Sequence, residues 1–386
     1  VRARAPGADD FAEAVEHLPL VDHHVHGALK GEVGRATFES SITESDRGLP
    51  PALSTFDSQI GFAILRWCAP VLGLEPHASP EAYLQRRRAL GSEETNRRLL
   101  GSSGVSRYLL DTGFATADLL DIDGMAAASG AGCGEIVRLE AVAEDVARDG
   151  IDADRFAPAF VARLNERLDG GAVGTKSIVA YRHGFGLDPA RPQPSAVTRA
   201  ASAWFAQIAA TGTIRISDPT LLAFLLWSAI DAGRPLQVHV GFGDSELNLG
   251  TSNPTLLTDL IKLSEPSGTP IMLLHCYPYH REAGYLAHIY PNVYFDVGVA
   301  VNYLGAQSRQ LVAESLEVGP FAKQLFSSDA WGPAELHHLG ARLWREAFAD
   351  VVGAWIADGD WSQAGGLRVA SLIASENAER LYGLSR

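Results

Sequence analysis

The sequence predicts an α/β fold, a (β/α)8 TIM barrel with a helical insertion after the first strand. Three observations carry this. Eight short apolar runs with β-branched residues alternate with helix-like stretches, the pattern of a parallel sheet joined by crossovers. Histidine and aspartate recur at the C-terminal ends of these runs, the face where barrel enzymes place their active sites. A length of 386 residues fits one such barrel with an insertion as well as it fits two or three small domains.

The expected strands, in order, are Leu18–His26, Ser106–Thr112, Glu135–Val142, Val173–Arg182, Pro235–Val240, Pro270–Cys276, Asn292–Val299 and Gln324–Ser328. The stretches between them read as helices. Ala196–Ala210 and Pro219–Ala232 carry apolar residues at three- and four-residue spacing, and Gly212 and Gly233 stop them. Asp218-Pro219 supplies an N-cap and a first-turn proline, and Asn253-Pro254 opens Thr255–Leu263 in the same way. Arg342–Ala357 and Leu367–Leu381 close the chain.

The stretch between the first two strands is too long for a plain crossover. It holds an apolar helical segment, Phe56–Leu72, and a basic, polar one, Pro80–Leu100. We expect a single barrel domain over residues 1–386, with residues 38–105 as a helical insertion at the barrel mouth. A separate small domain is the alternative, and no Gly/Ser/Pro linker flanks both sides to favour it.

Composition narrows the function. Hydrophobic residues are 46% and charged residues 20%, which is ordinary globular composition. Lys plus Arg is 32 against 46 Asp plus Glu, a net charge of −14 that argues against binding nucleic acid or an anionic membrane. The apolar run around Leu221–Ile230 is far short of the ~20 residues of a membrane span. No leader pattern is read from Val1 onward, and Cys68, Cys133 and Cys276 are scattered as in a reducing compartment, so a cytoplasmic protein with a small-molecule substrate is expected. Self-association into a homo-oligomer is left open.

The chemistry starts at Asp22-His23-His24-Val25-His26. Strand alternation places Asp22, His24 and His26 on one face and His23 and Val25 on the other. Two imidazoles two residues apart form a chelate for a borderline metal such as zinc. His239, His275 and Asp329 sit at the ends of the fifth, sixth and eighth expected strands. Four strand ends bearing ligand-type residues point to a metal site rather than to separately satisfied core residues. Lys176 lies inside the fourth strand, where a lysine is costly unless paired. It reads either as a charged substrate contact or as a lysine that has taken up CO2 to become an anionic metal bridge. By alternation Arg182 shares its face and could clamp a substrate carboxylate. Tyr277, Asp296 and Trp331 follow or lie on strand ends and could line the pocket, and His337-His338 reads as surface or pocket rim.

Phosphate-loop, dinucleotide and serine-nucleophile patterns all fail. The lysine of Gly171–Ser177 lies within a strand, Gly241-Phe242-Gly243 lacks its third glycine, and no nucleophile elbow occurs.

This arrangement resembles the amidohydrolase superfamily. The segments Leu20–Gly27, Lys176–Arg182, His275–Tyr285, Tyr290–Asp296, Ser327–Ala330 and Glu376–Tyr382 are similar to the amidohydrolase-2 family, in the branch of the nodulin-like N-terminal half of glutamine-synthetase fusion proteins. The resemblance spans about residues 18–384 and implies a stand-alone version without the synthetase half. It implies a divalent metal, zinc foremost, as one ion or two. His24, His26 and Asp329 hold one ion, and His239 and His275 hold a second if Lys176 is carbamylated. With a free Lys176 amine the pattern becomes one ion on His24, His26, His239 and Asp329, with His275 behind it.

The function so implied is metal-dependent hydrolysis of an amide, lactone or related bond in a small, carboxylate-bearing substrate. A bound metal lowers the pKa of a coordinated water to about 7. Asp329 is placed to take its proton and return it to the leaving group, and His275 acts as ligand or as partner of the developing oxyanion. Arg182, Tyr277 and Trp331 are the expected substrate contacts. A non-oxidative decarboxylase with the same ligands is the first alternative, and a non-catalytic barrel scaffold the second.

Overall fold

The computed structural model describes residues 8–48, 50, 52–114 and 117–384. The ends of the expected 1–386 unit, and residues 49 and 51 of the 38–105 segment, lie outside them. Seven parallel strands form one sheet in sequence order: β1 (Leu20–Val25), β2 (Val105–Asp111), β3 (Gly132–Arg138), β4 (Gly174–Ser177), β5 (Leu236–Val240), β6 (Ile271–His275) and β7 (Val293–Phe295). Helices separate the strands, so each parallel neighbour is reached by a crossover.

The eighth expected strand, Gln324–Ser328, is not a regular ladder. It is an extended segment that closes the curled sheet between β7 and β1. Gln324 bridges Phe295, and Leu325 N donates to Phe295 O at 3.1 Å. On the other side Asp329 N donates to His24 O at 3.1 Å, and His26 N donates to Ala330 O at 2.8 Å. Asp22 ties the segment down from β1, accepting from Ser328 N at 2.9 Å and from Ser328 Oγ at 2.5 Å.

Side chains fill the barrel as a packed core rather than a pore. Val21, Leu109, Ile136, Met272, Leu274 and Leu325 meet Ala378 and Tyr382 there. The opposite faces pack outward, with Leu236, Val238, Val240, Ile271 and Leu273 against the helical layer. Burying each such aliphatic side chain contributes about 1.5–3 kcal/mol.

Several expected elements end earlier than pattern suggests. The third strand stops at Arg138, where the helix Leu139–Arg148 begins. The fourth stops at Ser177, and Val179–Arg182 is a short helix. At the end of the fourth strand Glu140 Oε1 accepts from Ser177 Oγ at 2.7 Å and from Ile178 N at 3.0 Å, drawing the chain off the sheet. The seventh stops at Phe295, and Gly298–Leu304 turns helical with Asp296 Oδ1 accepting from Gly298 N at 2.8 Å.

The helix Pro219–Ala232 is as expected, with Asp218 Oδ1 accepting from Thr220 N and Leu221 N. Thr255–Leu263 is a 3-10 turn over Pro254–Leu257 followed by the helix Thr258–Ser264. The expected Pro80–Leu100 helix is two, Pro80–Leu90 and Ser92–Gly101, broken at Gly91 with φ 77. Arg342–Ala357 is the end of a longer helix, Ala334–Asp358.

Between β1 and β2 lie the helices Arg35–Ser40, Gln59–Val71, Pro80–Leu90 and Ser92–Gly101. They are bonded to the long helix Ala334–Asp358: Glu335 Oε1 accepts from Arg87 Nε at 2.8 Å and from Tyr83 Oη at 2.9 Å. Among the described residues no helix is long and apolar enough to cross a membrane.

Candidate metal centre

The C-terminal ends of β1, β4 and β6 and the closing segment bring their polar side chains to one point. His24 Nε2 lies 3.1 Å from Asp329 Oδ1, and His26 Nε2 lies 3.6 Å from the same oxygen. His275 Nδ1 stands 3.3 Å from Asp329 Oδ2, and Lys176 Nζ 3.1 Å from His24 Nε2. Donor atoms of His24, His26 and Asp329 all lie within 4.8 Å of one another.

The outward nitrogens are already committed. His24 Nδ1 lies 2.8 Å from Gln237 Oε1, and His26 Nδ1 lies 3.3 Å from Asp111 O. A carbonyl can only accept, so each Nδ1 carries the proton and each Nε2 turns a lone pair toward Asp329. His239 is arranged the other way round. Its Nε2 is 3.0 Å from Phe242 O, which leaves the lone pair on Nδ1, and its ring centroid is 4.5 Å from that of His275.

Backbone geometry aims two of these side chains. Met272 and Leu274 face the barrel interior, so alternation would send His275 outward. Instead His275 and Cys276 adopt φ 68 and 55, and Asp329 adopts φ 49. Such left-handed conformations cost a non-glycine residue of order 1–3 kcal/mol and persist where the surroundings enforce them. Here Asp296 Oδ1 holds His275 N at 2.8 Å.

The residues fit a divalent transition metal. Burial holds the His24, His239 and His275 imidazoles well below their ordinary range and His26 down to about 3, so all four are neutral, the form that ligates. His275 is wholly buried, yet neither ring nitrogen makes a hydrogen bond, a costly state that ligation relieves. Burial also pushes the Asp329 carboxyl well above its usual range, against the pull of Lys176, and a cation at this point restores the carboxylate.

A cavity of about 1020 Å3 opens over the site, lined by His26, Lys176, His239 and Asp329 at its base. Arg35, Glu39, Glu44, Arg47, Pro50 and Leu53 also line it. Arg182 lines it too, but not by strand alternation, because it sits on the short helix after β4. Its Nη2 pairs with Glu144 Oε1 at 3.0 Å, its side chain is 9% exposed, and its Nε and Nη1 have no hydrogen-bond partner. Trp331 lines the wall, edge-on to Phe114 at 5.7 Å.

Three expectations need correction. Tyr277 is not among the lining residues. Its carbonyl accepts from Phe242 N at 2.7 Å, and its ring stacks on His280. His337 and His338 are buried rather than at a rim, with His337 Nε2 3.0 Å from His26 O and His338 Nδ1 3.0 Å from Ser102 Oγ. The strict alternation of β1 also fails, because the strand has a register irregularity between Asp22 and Val25. His23, two residues on from the interior-facing Val21, shares the interior with His24, and its Nδ1 is 3.2 Å from Tyr382 Oη.

Sequence reasoning missed Arg138, Gln237 and Glu44. Arg138 ends β3 and lines the cavity, with its Nη2 2.6 Å from Asp111 Oδ2 at the end of β2. The strand-end rule that found His275 could have found this pair. Gln237 lies two residues before His239 on the same face. Glu44 lies in an irregular segment and had no signal.

The amidohydrolase-2 family model matches residues 139–384, which include Lys176, His239, His275 and Asp329. Protein fluG of Emericella nidulans is 32% identical over 243 residues, 60% of this chain and 28% of that protein, so the match spans under a third of that relative. A Lactobacillus casei protein assigned as a metal-dependent hydrolase is similar at 30% identity, with 97% of each chain covered and a TM-score of 0.86. A uronate isomerase of Bacillus halodurans shares the fold at 15% identity, covering 100% of this chain and 98% of that one, with a TM-score of 0.67.

Proposed function

The chain belongs to the amidohydrolase-2 family, and we propose that within it this protein is a metal-dependent hydrolase of an amide, lactone or related bond in a small, carboxylate-bearing substrate. The observation that carries this is the convergence of His24, His26 and Asp329 beneath the cavity, beside a buried His275 with no hydrogen-bond partner. These four residues, with His239 and Lys176, are the ones that would hold the ion, which we read as zinc. A divalent ion there supplies a Lewis acid for the substrate carbonyl and lowers the pKa of water toward about 7.

The chain's own groups do the rest. Asp329, 13% exposed at the cavity floor, takes the proton of the attacking water and returns it to the leaving group. Where His275 is left out of the ligand set, its role is instead to steady the developing negative charge on the carbonyl oxygen. Arg182, which lines the cavity, is the residue we assign to a substrate carboxylate, and Trp331 with Phe114 forms an apolar wall that orients the rest.

We read residues 38–105 as part of the same domain, capping the cavity mouth. The Arg87 and Tyr83 bonds to Glu335 support this.

The test is product analysis on a panel of small carboxylate-bearing amides and lactones with the zinc-loaded protein. Release of the free acid with its amine or alcohol is expected. Release of CO2 would replace hydrolysis with decarboxylation.

A further inference from the structure

Gln237 is the one amide among the interior-facing residues of β5, and it is 0% exposed. A buried amide is costly unless every strong group is paired. Here the pairing is complete and directional. Oε1 lies 2.8 Å from His24 Nδ1, while Nε2 donates to His23 O at 2.8 Å and to Tyr382 Oη at 2.8 Å. The amide cannot be reversed, because Oε1 would then face the His23 carbonyl, acceptor against acceptor. Its orientation therefore fixes the His24 proton on Nδ1 and the lone pair on Nε2.

The chain of bonds continues beyond Gln237. Tyr382 Oη, having accepted from Gln237, donates to His23 Nδ1 at 3.2 Å. His23 Nε2 then donates to Asp296 Oδ2 at 3.0 Å, and the other oxygen of Asp296 holds His275 N at 2.8 Å. Side chains from β1 and β5, the turn after β7 and the C-terminal helix Asn377–Tyr382 are thus joined behind two candidate ligands.

We propose that Gln237 is a positioning residue that presents His24 Nε2 for metal binding, and that Tyr382 holds Gln237 in that orientation. This rests on the reading of His24 as a metal ligand. Partners behind a ligating histidine that set its tautomer and ring angle typically account for about 10–100-fold in metal affinity.

The experiment uses the full chain and its Gln237→Met and Tyr382→Phe variants, both close to the native side chains in volume. Zinc affinity is measured by competition with a chromophoric chelator, alongside the cobalt(II) absorption spectrum and the Tm of each metal-free protein. We expect Gln237→Met to weaken zinc by about 10–100-fold with an altered cobalt spectrum. Tyr382→Phe should shift both in the same direction by less. A lower metal-free Tm with zinc affinity and cobalt spectrum unchanged in both variants would reduce Gln237 to a packing role and overturn the proposal. If Gln237→Met does not fold, Tyr382→Phe decides alone, since unchanged affinity there overturns it. A wild-type protein that binds neither ion would overturn the ligand reading of His24 and this proposal together.

Discussion

Lys176 Nζ stands 3.1 Å from His24 Nε2, so a buried amine faces the lone pair of a candidate metal ligand. Burial pushes this amine down to about 8, against the pull of Asp111 and Asp329. A neutral amine adds CO2 by forming an N–C bond and releasing one proton, and the product is an anionic ligand. With bicarbonate and excess zinc supplied, density for a carbamate at Lys176 and a rise in metal content from one toward two ions are expected. Lys176→Met should stay at one. A free amine at full metal loading would leave a mononuclear site.

Metal removal should cost stability. At zinc about 1,000-fold above its dissociation constant the linkage is about 4 kcal/mol, enough to move Tm by several degrees. Dialysis against a chelator should lower Tm, and zinc should restore it. Superimposable melting curves would count against a resident ion.

His24→Ala and Asp329→Asn should each lower zinc affinity by more than about 100-fold, beyond what partners behind a ligand achieve. Far-UV circular dichroism should be unchanged, because the core clusters do not depend on either side chain. Loss of fold in both would move the two residues to structural roles.

Arg182→Gln should raise KM for carboxylate substrates about 10–150-fold, the equivalent of about 1.5–3 kcal/mol for a charge-assisted hydrogen bond. Neutral analogues should be little affected. The fold should survive, because Glu144 Oε1 retains its bond from Ile216 N at 3.0 Å. Equal losses on charged and neutral compounds would remove Arg182 from carboxylate recognition.

Arg87→Met should destabilise the protein by about 3–5 kcal/mol, since Glu335 is left buried without its cation. Unfolding should stay a single transition if residues 38–105 belong to the barrel domain. Two separated transitions would make that segment an independent unit.

The strands and the ligand-type residues at their ends were legible because both follow short-range rules. Apolar runs mark buried parallel strands, and His24, His26, His239, His275 and Asp329 interrupt or end them. What was not legible depends on tertiary bonds. Glu140 ends β4 at Ser177, five residues before Arg182, so the alternation expected for Arg182 had no strand to rest on. The inward turn of His275 comes from a left-handed backbone held by Asp296, which no periodicity encodes. Across the irregularity in β1 the adjacent His23 and His24 both turn inward to Gln237, which a two-residue repeat does not allow.

A divalent metal held by His24, His26 and Asp329 should accompany the protein through purification. Elemental analysis of the purified protein, wild type beside Asp329→Asn, tests it most directly. At least one equivalent of zinc or a similar transition metal is expected in the wild type, and its loss in the variant. Well under one equivalent in the wild type, unrecovered on adding zinc, would contradict it.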